Sequence, residues 1–325
     1  MRRALPVTLL AAILCILSVV PALAQPFPSK TVRIVVPLAA GGSVDVLARA
    51  LAAVLSPLWG QPVVVENIPG ATGTIGTERV ASAPPDGHTL LMTFDPPLVG
   101  SRFLYKKLPY DPDKSLSPIT MLVQSGMFVI VNASVPAGTF RDVVEAARRA
   151  PGKVAYGSNG MGSAQHLFFE TIAKREGIQF LHVPYKGIAP MIAATVSGEV
   201  QVSGASAAAA GAMLKAGRVR PLAIGGARRT NVFPDVPTLA EAGYPYAAMG
   251  TWYGLFAPGG TDAQLVERLY RDVTGIAKRP EFTAKYINAL GLDLVANTPA
   301  EFAAAIRAEV AVTAEMVKAA GVKPE

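Results

Sequence analysis

Hydrophobic residues in the first third of the chain alternate between short continuous runs and longer runs with helical spacing. The continuous runs, rich in Val, Ile and Leu, predict buried strands over residues 31–38, 62–67 and 89–94. Residues 44–58 carry apolar side chains three and four positions apart, which predicts a helix with one face on a sheet. Residues 74–83 predict a shorter helix. Strands that alternate with helices are typical of a mostly parallel α/β sheet.

A second group of elements follows with the same alternation. Strands are predicted over residues 127–132, 153–158, 180–185, 200–203 and 221–225, and helices over 139–150, 163–176, 189–197, 205–216 and 302–320. Thr139 with Asp142, and Thr298 with Glu301, have the spacing of capping boxes. Two groups predict two lobes with a cleft between them. The chain is expected to cross over near 111–117 and to return over 223–237, which makes the first lobe discontinuous.

The N-terminus has the pattern of a cleaved secretory signal peptide. Arg2 and Arg3 precede an apolar stretch over residues 4–23, which ends in the small residues of an A-x-A site at 22–24. This pattern favours cleavage over an uncleaved anchor. The single cysteine, Cys15, lies inside the segment, and Leu14 before it is unlike a lipoprotein site. The expected mature chain therefore has no cysteine, which excludes disulfides and thiol chemistry.

Charge and hydropathy exclude two further classes of function. The formal net charge is +7, and removing Arg2 and Arg3 leaves 7 − 2 = +5, with no long basic run. A nucleic-acid binder is therefore not expected. No later stretch has eighteen uninterrupted apolar residues, so no membrane insertion is expected after signal cleavage.

Catalytic and metal-binding motifs are missing from the sequence. The three histidines, His88, His166 and His182, do not have a metal-ligand spacing, and neither a metal nor a cofactor is expected. No G-x-S-x-G, Walker A or G-x-G-x-x-G motif occurs. A serine hydrolase that uses Ser163 or Ser43 is a remote alternative, because no base is placed with either serine.

Three glycine-rich loops stand where a predicted strand leads into a predicted helix, at residues 39–43, 70–76 and 157–163. Glycine lets a ligand approach the main chain, and the following helix start presents free N–H groups and a positive dipole end. Each loop alone is better explained as a tight turn between a strand and a helix. Together, at corresponding strand ends of two lobes, they predict a shared site for an oxyanion, most simply a carboxylate.

These loops also carry a resemblance that covers essentially all of the expected mature chain. The stretches "PLAAGGSVDVLAR", "NIPGATGTIG", "YGSNGMGSAQHL", "VPYKG", "FPDVPTLAEAGYP" and "FAPGGTDAQLVERL" resemble the Bug-type solute-binding proteins of tripartite tricarboxylate transporters. The resemblance implies an α/β fold of the type II periplasmic-binding-protein kind, with two lobes, a central ligand cleft and two crossing hinge strands. It also implies a non-enzymatic periplasmic protein that holds a carboxylate in the cleft.

The resemblance implies a set of ligand-binding residues on both lobes. Main-chain N–H groups of the first two loops hold one carboxylate, often through water. The second lobe adds the helix start near Ser163 and the turn at Lys186. The Lys186 side chain either adds positive charge to the cleft or is a solvated lysine on a loop, and the two interpretations are equally good. Phe94 either lines the pocket or packs in the core. The expected residues are Leu38, Ala39, Ala40, Gly41, Gly42, Ser43, Asp45, Gly70, Ala71, Thr72, Gly73, Thr74, Phe94, Ser158, Asn159, Ser163, Gln165, His166, Tyr185, Lys186, Ala205 and Ser206.

The chain departs from the family pattern at places that bear on the ligand. Residues 38–40 replace the usual prolines, and Phe94-Asp95 replace small polar residues. Residues 200–206 are neutral, where many relatives carry acids that meet a ligand ammonium. A buried ammonium would lack its counter-charge there. We therefore expect a dicarboxylate or an aromatic carboxylate to bind better than an amino acid.

Organisation and partners follow from the same resemblance. We expect a signal peptide over residues 1–24, a first domain built from 25–122 and 223–325, and a second domain over 123–222, with the C-terminal helices placed to contact it. The expected protein is a periplasmic monomer. It delivers its organic acid transiently to inner-membrane transporter subunits. A periplasmic partner of a sensor kinase is the alternative.

Overall fold

The computed structural model describes residues 27–161, 163–226, 229–230, 233–247 and 249–320. The predicted signal peptide lies outside these ranges. Within them, no helix is both long enough and apolar enough to cross a membrane.

The first lobe begins with three parallel strands in the order β2-β1-β3. Leu47, Leu51 and Leu55 of helix α1 are fully buried against this sheet, which confirms the amphipathic pattern. The elements are β1 Val32–Val36, α1 Ser43–Trp59, β2 Val63–Asn67, α2 Thr74–Ala81, β3 Thr89–Phe94, α3 Asp95–Leu98 and α4 Ser101–Leu104.

A long strand, β4 Leu116–Asn132, belongs to both lobes. Its first half pairs antiparallel with strand β9 (Gly250–Pro258), and its second half pairs antiparallel with β7 (Val202–Ser206) and β8 (Val219–Ile224). The sequence predicted only the second half, over 127–132. Pro118 interrupts the apolar pattern of the first half, and a register shift follows it in the ladder. The first half therefore still belongs to the first lobe, and the crossover lies beyond the 111–117 expected from the sequence.

The second lobe repeats the α/β arrangement, with strands in the order β4-β7-β5-β6 and β8 on β4. Phe140, Tyr156, Phe168 and Phe169 are fully buried and form the centre of its core. The predicted capping box of Thr139 and Asp142 is present. The elements are α5 Phe140–Arg149, β5 Ala155–Ser158, α6 Ala164–Glu176, β6 Leu181–Pro184, α7 Ile188–Ser197, β7 Val202–Ser206, α8 Ala207–Lys215 and β8 Val219–Ile224.

The two chain crossings between the lobes lie side by side. The Gly225 N–H donates to the Met127 carbonyl at 2.9 Å, and the Met127 N–H donates to the Met249 carbonyl at 3.0 Å. Gly126 pairs with Gly250 in the β4–β9 ladder. The residues that precede the second crossing still belong to the second lobe, because Leu239 and Tyr244 pack in its core. The return therefore occurs near residue 249, later than the 223–237 expected from the sequence.

The C-terminal part completes the first lobe and reaches the second. Phe302 of the last helix packs on Trp252 and Phe256 of β9, whereas Met316 and Val317 near its other end pack on Leu167 of α6. The elements are β9 Gly250–Pro258, α9 Ala263–Ala277, α10 Pro280–Phe282, β10 Asp293–Leu294 and α11 Pro299–Ala320, with irregular helical turns at Thr283–Ile287 and Asn288–Leu290.

Candidate functional site

The directions of the strands place the predicted loops of both lobes at the cleft. β4 runs parallel to β3, because both are antiparallel to β9. The second lobe therefore lies beyond the carboxyl ends of β1–β3. In that lobe β7 is antiparallel to β4, and β5 and β6 are parallel to β7, so their carboxyl ends point back at the first lobe. Ligands of open α/β sheets bind at such carboxyl ends.

The first loop, residues 37–42, is held in place by the buried side chain of Asp45. One Asp45 oxygen accepts the Gly41 N–H at 2.9 Å and the Arg49 Nε at 3.0 Å, and the other accepts the Asn67 Nδ2 at 2.9 Å. Burial alone would raise the pKa of the Asp45 carboxyl, but these hydrogen bonds outweigh burial and lower it. Asp45 is therefore a positioning residue, because its oxygens are occupied within the protein.

We expect Asp45→Asn to lower the free energy of unfolding by about 2 kcal/mol, because the amide nitrogen that replaces one carboxylate oxygen faces the donors which that oxygen accepted, either Gly41 and Arg49 or Asn67. Chemical denaturation at pH 7 measures the loss. The folded pKa lies below the unfolded one, so the contribution of Asp45 is complete above about pH 4 and decreases as the pH falls through the folded pKa. Glu66→Gln is the control, since Glu66 forms an exposed ion pair with Arg33 at 3.4 Å. Equal stabilities of Asp45→Asn and the wild type would contradict the positioning role.

The second loop, residues 68–73, has an unusual backbone. Gly70, Ala71, Thr72 and Gly73 all have positive φ, at 131°, 45°, 52° and 88°. Ala71 and Thr72 are strained in this region, and strain of this kind concentrates at ligand sites. Gly73 precedes helix α2 without a side-chain cap, so the first N–H groups of α2 have no capping side chain.

The two loops of the first lobe touch each other. A Cβ on Gly76 would lie 2.6 Å from the Ile68 carbonyl oxygen and 2.9 Å from the Pro37 Cα. A Cβ on Gly73 would lie 3.1 Å from the Phe94 ring. Phe94 is half-buried. The structure therefore brings Pro37, Phe94 and the segment around residues 73–76 together.

Three further residues lie at this end of the first lobe, and the predicted set did not include them. The Tyr253 hydroxyl lies near the side chain of Ser43, and burial raises the Tyr253 pKa. The Thr251 hydroxyl donates to Asp95, which directly follows Phe94. Tyr253 and Thr251 lie on β9, about two hundred residues along the chain from the loops they join, so no local pattern indicates them.

The second lobe contributes a loop with its own buried polar groups. Ser158 Oγ hydrogen-bonds His182 Nε2 at 2.7 Å and accepts the Gly160 N–H at 3.2 Å. His182 stacks on His166 with ring centroids 4.5 Å apart. Burial, followed by the charge of His166, lowers the pKa of His182 to about 4. Burial also lowers the pKa of His166. Both rings are therefore neutral at pH 7. A neutral stack supplies hydrogen bonds without adding charge.

Several buried oxygens have no hydrogen-bond partner among the described residues, and the hydroxyl of Thr74, at the start of α2, is one of them. Two others lie at strand ends: the amide oxygen of Asn159, directly after β5, and the hydroxyl of Thr93, near the end of β3. Buried polar atoms almost always have a partner in native proteins. Their positions at facing strand ends therefore favour a polar occupant of the cleft.

The remaining residues predicted in the second lobe differ in what they can contact. Ser163 and Ser206 cap helices α6 and α8 through their hydroxyls. The amide nitrogen of Gln165 donates to the Gly204 carbonyl at 3.0 Å. Tyr185 donates to Glu199, whereas Lys186 is exposed in the turn before α7.

Ala205 is a correction to the predicted site. It is fully buried and packs with Phe128 and Ile130 in an apolar cluster of the second lobe. Alternate residues of a strand point to opposite faces, so the small residues of β7 do not all face the cleft. In the described part of the chain, no group of three or more His, Cys, Asp or Glu residues is arranged to hold a metal ion.

Two α/β lobes that face each other across strand-end loops define a bilobal ligand-binding protein. The family model described as "Tripartite tricarboxylate transporter family receptor" matches residues 47–322. The chain belongs to this family, and it is a periplasmic solute-binding protein of that kind.

Two relatives show the extent of the similarity. A UPF0065 protein from the tcbD-tcbE intergenic region of Pseudomonas sp. strain P51 is 36% identical over 287 residues, which cover 87% of this chain and 84% of the relative. Protein BugT of Bordetella pertussis is 33% identical over 304 residues and 93% of each chain.

Two solved structures of similar proteins contain small organic acids. Rpa4515 of R. palustris, solved with adipate, has a TM-score of 0.75 and 32% identity, over 92% of this chain and 100% of that one. MatC (Rpa3494) from Rhodopseudomonas palustris, with bound malate, has a TM-score of 0.70 and 30% identity, over 90% of this chain and 100% of that one.

Proposed function

We propose that this protein captures a small organic carboxylate between its lobes in the periplasm and delivers it to an inner-membrane tripartite tricarboxylate transporter. We further propose that the mature chain begins after removal of the signal peptide. It acts as a monomer and contacts the membrane subunits only transiently. A ligand that contacts both lobes favours the closed state of the protein. The transporter can then distinguish the closed, loaded protein from the open, empty one.

The observation that carries the proposal is the contact between the two loops of the first lobe. Their main chains meet where Gly76 of α2 packs against Pro37 and Ile68, so the uncapped start of α2 lies beside the first loop. Main-chain N–H groups at a helix start suit a carboxylate. The loop at residues 158–161 faces them from the second lobe, where the side-chain oxygen of Asn159 has no hydrogen-bond partner among the described residues. A ligand with a second polar end, such as the adipate and malate of the two similar proteins, suits this arrangement.

We propose that dicarboxylates or aromatic carboxylates bind ahead of amino acids. The polar side chains of β7 are neutral and already bonded: Ser203 pairs with the Thr195 hydroxyl at 2.8 Å. The acids beside the loops of the first lobe are also bonded already: Asp45 accepts the Gly41 N–H, and Asp95 accepts the Thr251 hydroxyl. A ligand ammonium would therefore displace existing hydrogen bonds to reach a carboxylate, which removes much of its gain.

A thermal-shift screen of the chain from Gln25 onward tests the proposal. The panel contains di- and tricarboxylates, aromatic acids and amino acids. A ligand that binds only the folded state at one hundred times its Kd adds about 2.7 kcal/mol of stability. We expect a raised melting temperature with one class of organic acid and none with amino acids.

Two results would contradict the proposal. Tight binding of an amino acid would overturn the ligand preference. If no acid raises the melting temperature, the supernatant of the denatured protein is analysed by mass spectrometry for a ligand that copurified. A non-acidic compound there, or no compound at all, would overturn carboxylate capture.

A further inference from the structure

Two carboxyl groups approach the same tryptophan at the cleft end of the first lobe. Asp95 accepts hydrogen bonds from the Thr251 hydroxyl and the Trp252 main-chain N–H. Glu309, in the middle of helix α11, accepts the Trp252 Nε1–H at 2.6 Å. Residues of α3, β9 and α11, distant in sequence, thus bring two acids together, and we call them the Asp95–Glu309 pair.

No cation balances this pair in the described part of the chain. The titratable groups that act on Asp95 or respond to it are Tyr253 from β9 and Glu309 from α11. The neighbouring loops, residues 37–43 and 68–76, contain no charged residue. Asp45 differs, because the Arg49 guanidinium lies 3.0 Å from its carboxylate. Two uncompensated carboxyls in a buried place disfavour double ionisation.

The pair therefore holds a proton near neutral pH. Burial raises the pKa of Asp95 to about 6. Burial, followed by the charge of Asp95, raises the pKa of Glu309 to about 7. The two groups titrate as one unit, so the proton belongs to the pair.

The pair lies next to the loops that we assign to the ligand. Asp95 follows Phe94, whose ring contacts the Gly73 position. Tyr253 connects the Asp95 region to Ser43. An anion held by these loops would act on the pair over a short distance through the protein interior, where salt screens little.

We propose that the Asp95–Glu309 pair takes up a proton when the cleft takes up an organic anion, so that the protein binds H⁺ together with its ligand. This inference rests on the proposed carboxylate binding. Its physical basis is that a third negative charge makes ionisation of the pair still less favourable. Proton uptake limits the accumulation of negative charge at the cleft.

Linkage sets the direction of the pH dependence. An anion that raises the proton affinity of the pair must itself bind more tightly to the protonated pair. Ligand affinity is therefore expected to rise as the pH falls from about 8 towards 6, by up to about tenfold per pH unit for uptake of a full proton. The rise ends once the pair is protonated in the free protein.

Isothermal titration calorimetry measures this proton uptake directly. Adipate and malate serve as probes between pH 6.5 and 8.5, where each is a dianion. The third probe is the acid that gives the largest shift in the thermal screen, and it is used only at pH values where its own charge is constant. Titrations in buffers with different ionisation enthalpies report the protons bound per ligand. We expect about half a proton near pH 7 for the wild type and much less for Asp95→Asn and Glu309→Gln.

Asp272→Asn is the matched control. Asp272 also accepts a tryptophan N–H, from Trp59 at 2.7 Å, but it belongs to helix α9 and has Arg268 at 3.8 Å. Its removal is expected to leave proton uptake unchanged. Thermal unfolding checks that each variant is folded, and the two test substitutions lie on different elements, so that one folding defect does not remove the test.

A second measurement needs no ligand. The sequence has two tryptophans, so Trp59→Phe leaves the fluorescence of Trp252 alone. We expect its emission to titrate between about pH 6 and 7, and to lose this step in Glu309→Gln, because Glu309 bonds the indole directly.

The outcomes separate this inference from the proposed function. If no probe produces binding heat, carboxylate capture fails and proton co-capture fails with it. If a probe binds without proton uptake, or with the same uptake in both pair variants, the function stands and the inference is overturned. A fluorescence titration with no step above pH 5 would also overturn it.

Discussion

Replacing Gly225 with alanine is expected to lower the melting temperature by about 10 °C, which corresponds to a loss of about 3 kcal/mol. Gly225 lies where the two chain crossings meet. A Cβ there would stand 1.8 Å from the Met249 carbonyl oxygen and 2.6 Å from its carbon. These are main-chain atoms of the neighbouring crossing, so no side chain can rotate out of the way. The crossings would have to separate, and the hydrogen bond from Gly225 to Met127 would be lost.

Thermal unfolding of Gly225→Ala measures this loss. Gly211→Ala and Gly275→Ala are the controls, because both glycines are in helices with open space at the Cβ position. Alanine there is expected to raise stability by up to about 1 kcal/mol. Substitutions without a specific structural effect change the melting temperature by up to about 2 °C. If Gly225→Ala melts within this range of the wild type, the two crossings are not packed as described.

Replacing Gly76 with alanine is expected to weaken ligand binding by about tenfold to a hundredfold while the protein remains folded. The new Cβ would meet main-chain atoms of Ile68 and Pro37, at 2.6 and 2.9 Å. The start of α2 must then move away from the first loop. The main-chain N–H groups that converge there would no longer point at the same carboxylate.

Calorimetry with the acid that gives the largest thermal shift measures this effect. Gly100→Ala is the control from the same lobe, since its φ of −70° suits alanine and the nearest atom to its Cβ is 3.7 Å away. Its affinity is expected to match that of the wild type. An unchanged Kd for folded Gly76→Ala would place the carboxylate elsewhere in the cleft.

Local patterns in the sequence predicted most elements of the two lobes. The strands β1, β2 and β3 are rich in Val, Ile and Leu, and the first two glycine-rich loops follow the first two of them. The capping box at Thr139 is present, and the Thr298 N–H donates to the Glu301 carboxylate at 2.9 Å. Such signals are local, because they depend on side chains within one turn of each other.

Other elements have no clear local pattern. The first half of β4 contains Pro118, and β9 contains two glycines, so neither has the continuous or alternating pattern of a strand. Both are strands because each pairs with the other. The face of β7 on which Ala205 lies is likewise decided by pairing with β4.

The sequence by itself determined the α/β class, the two groups of elements and the glycine-rich loops that face the cleft. The tertiary structure alone decided where the lobes cross, that Asp45 supports a loop, that Tyr253 lies near Ser43, and that Asp95 and Glu309 approach the same tryptophan. The physical reason is the distance along the chain over which each interaction acts. Helix spacing, caps and glycine turns act over a few residues, whereas a buried acid pair exists only when α3, β9 and α11 pack together.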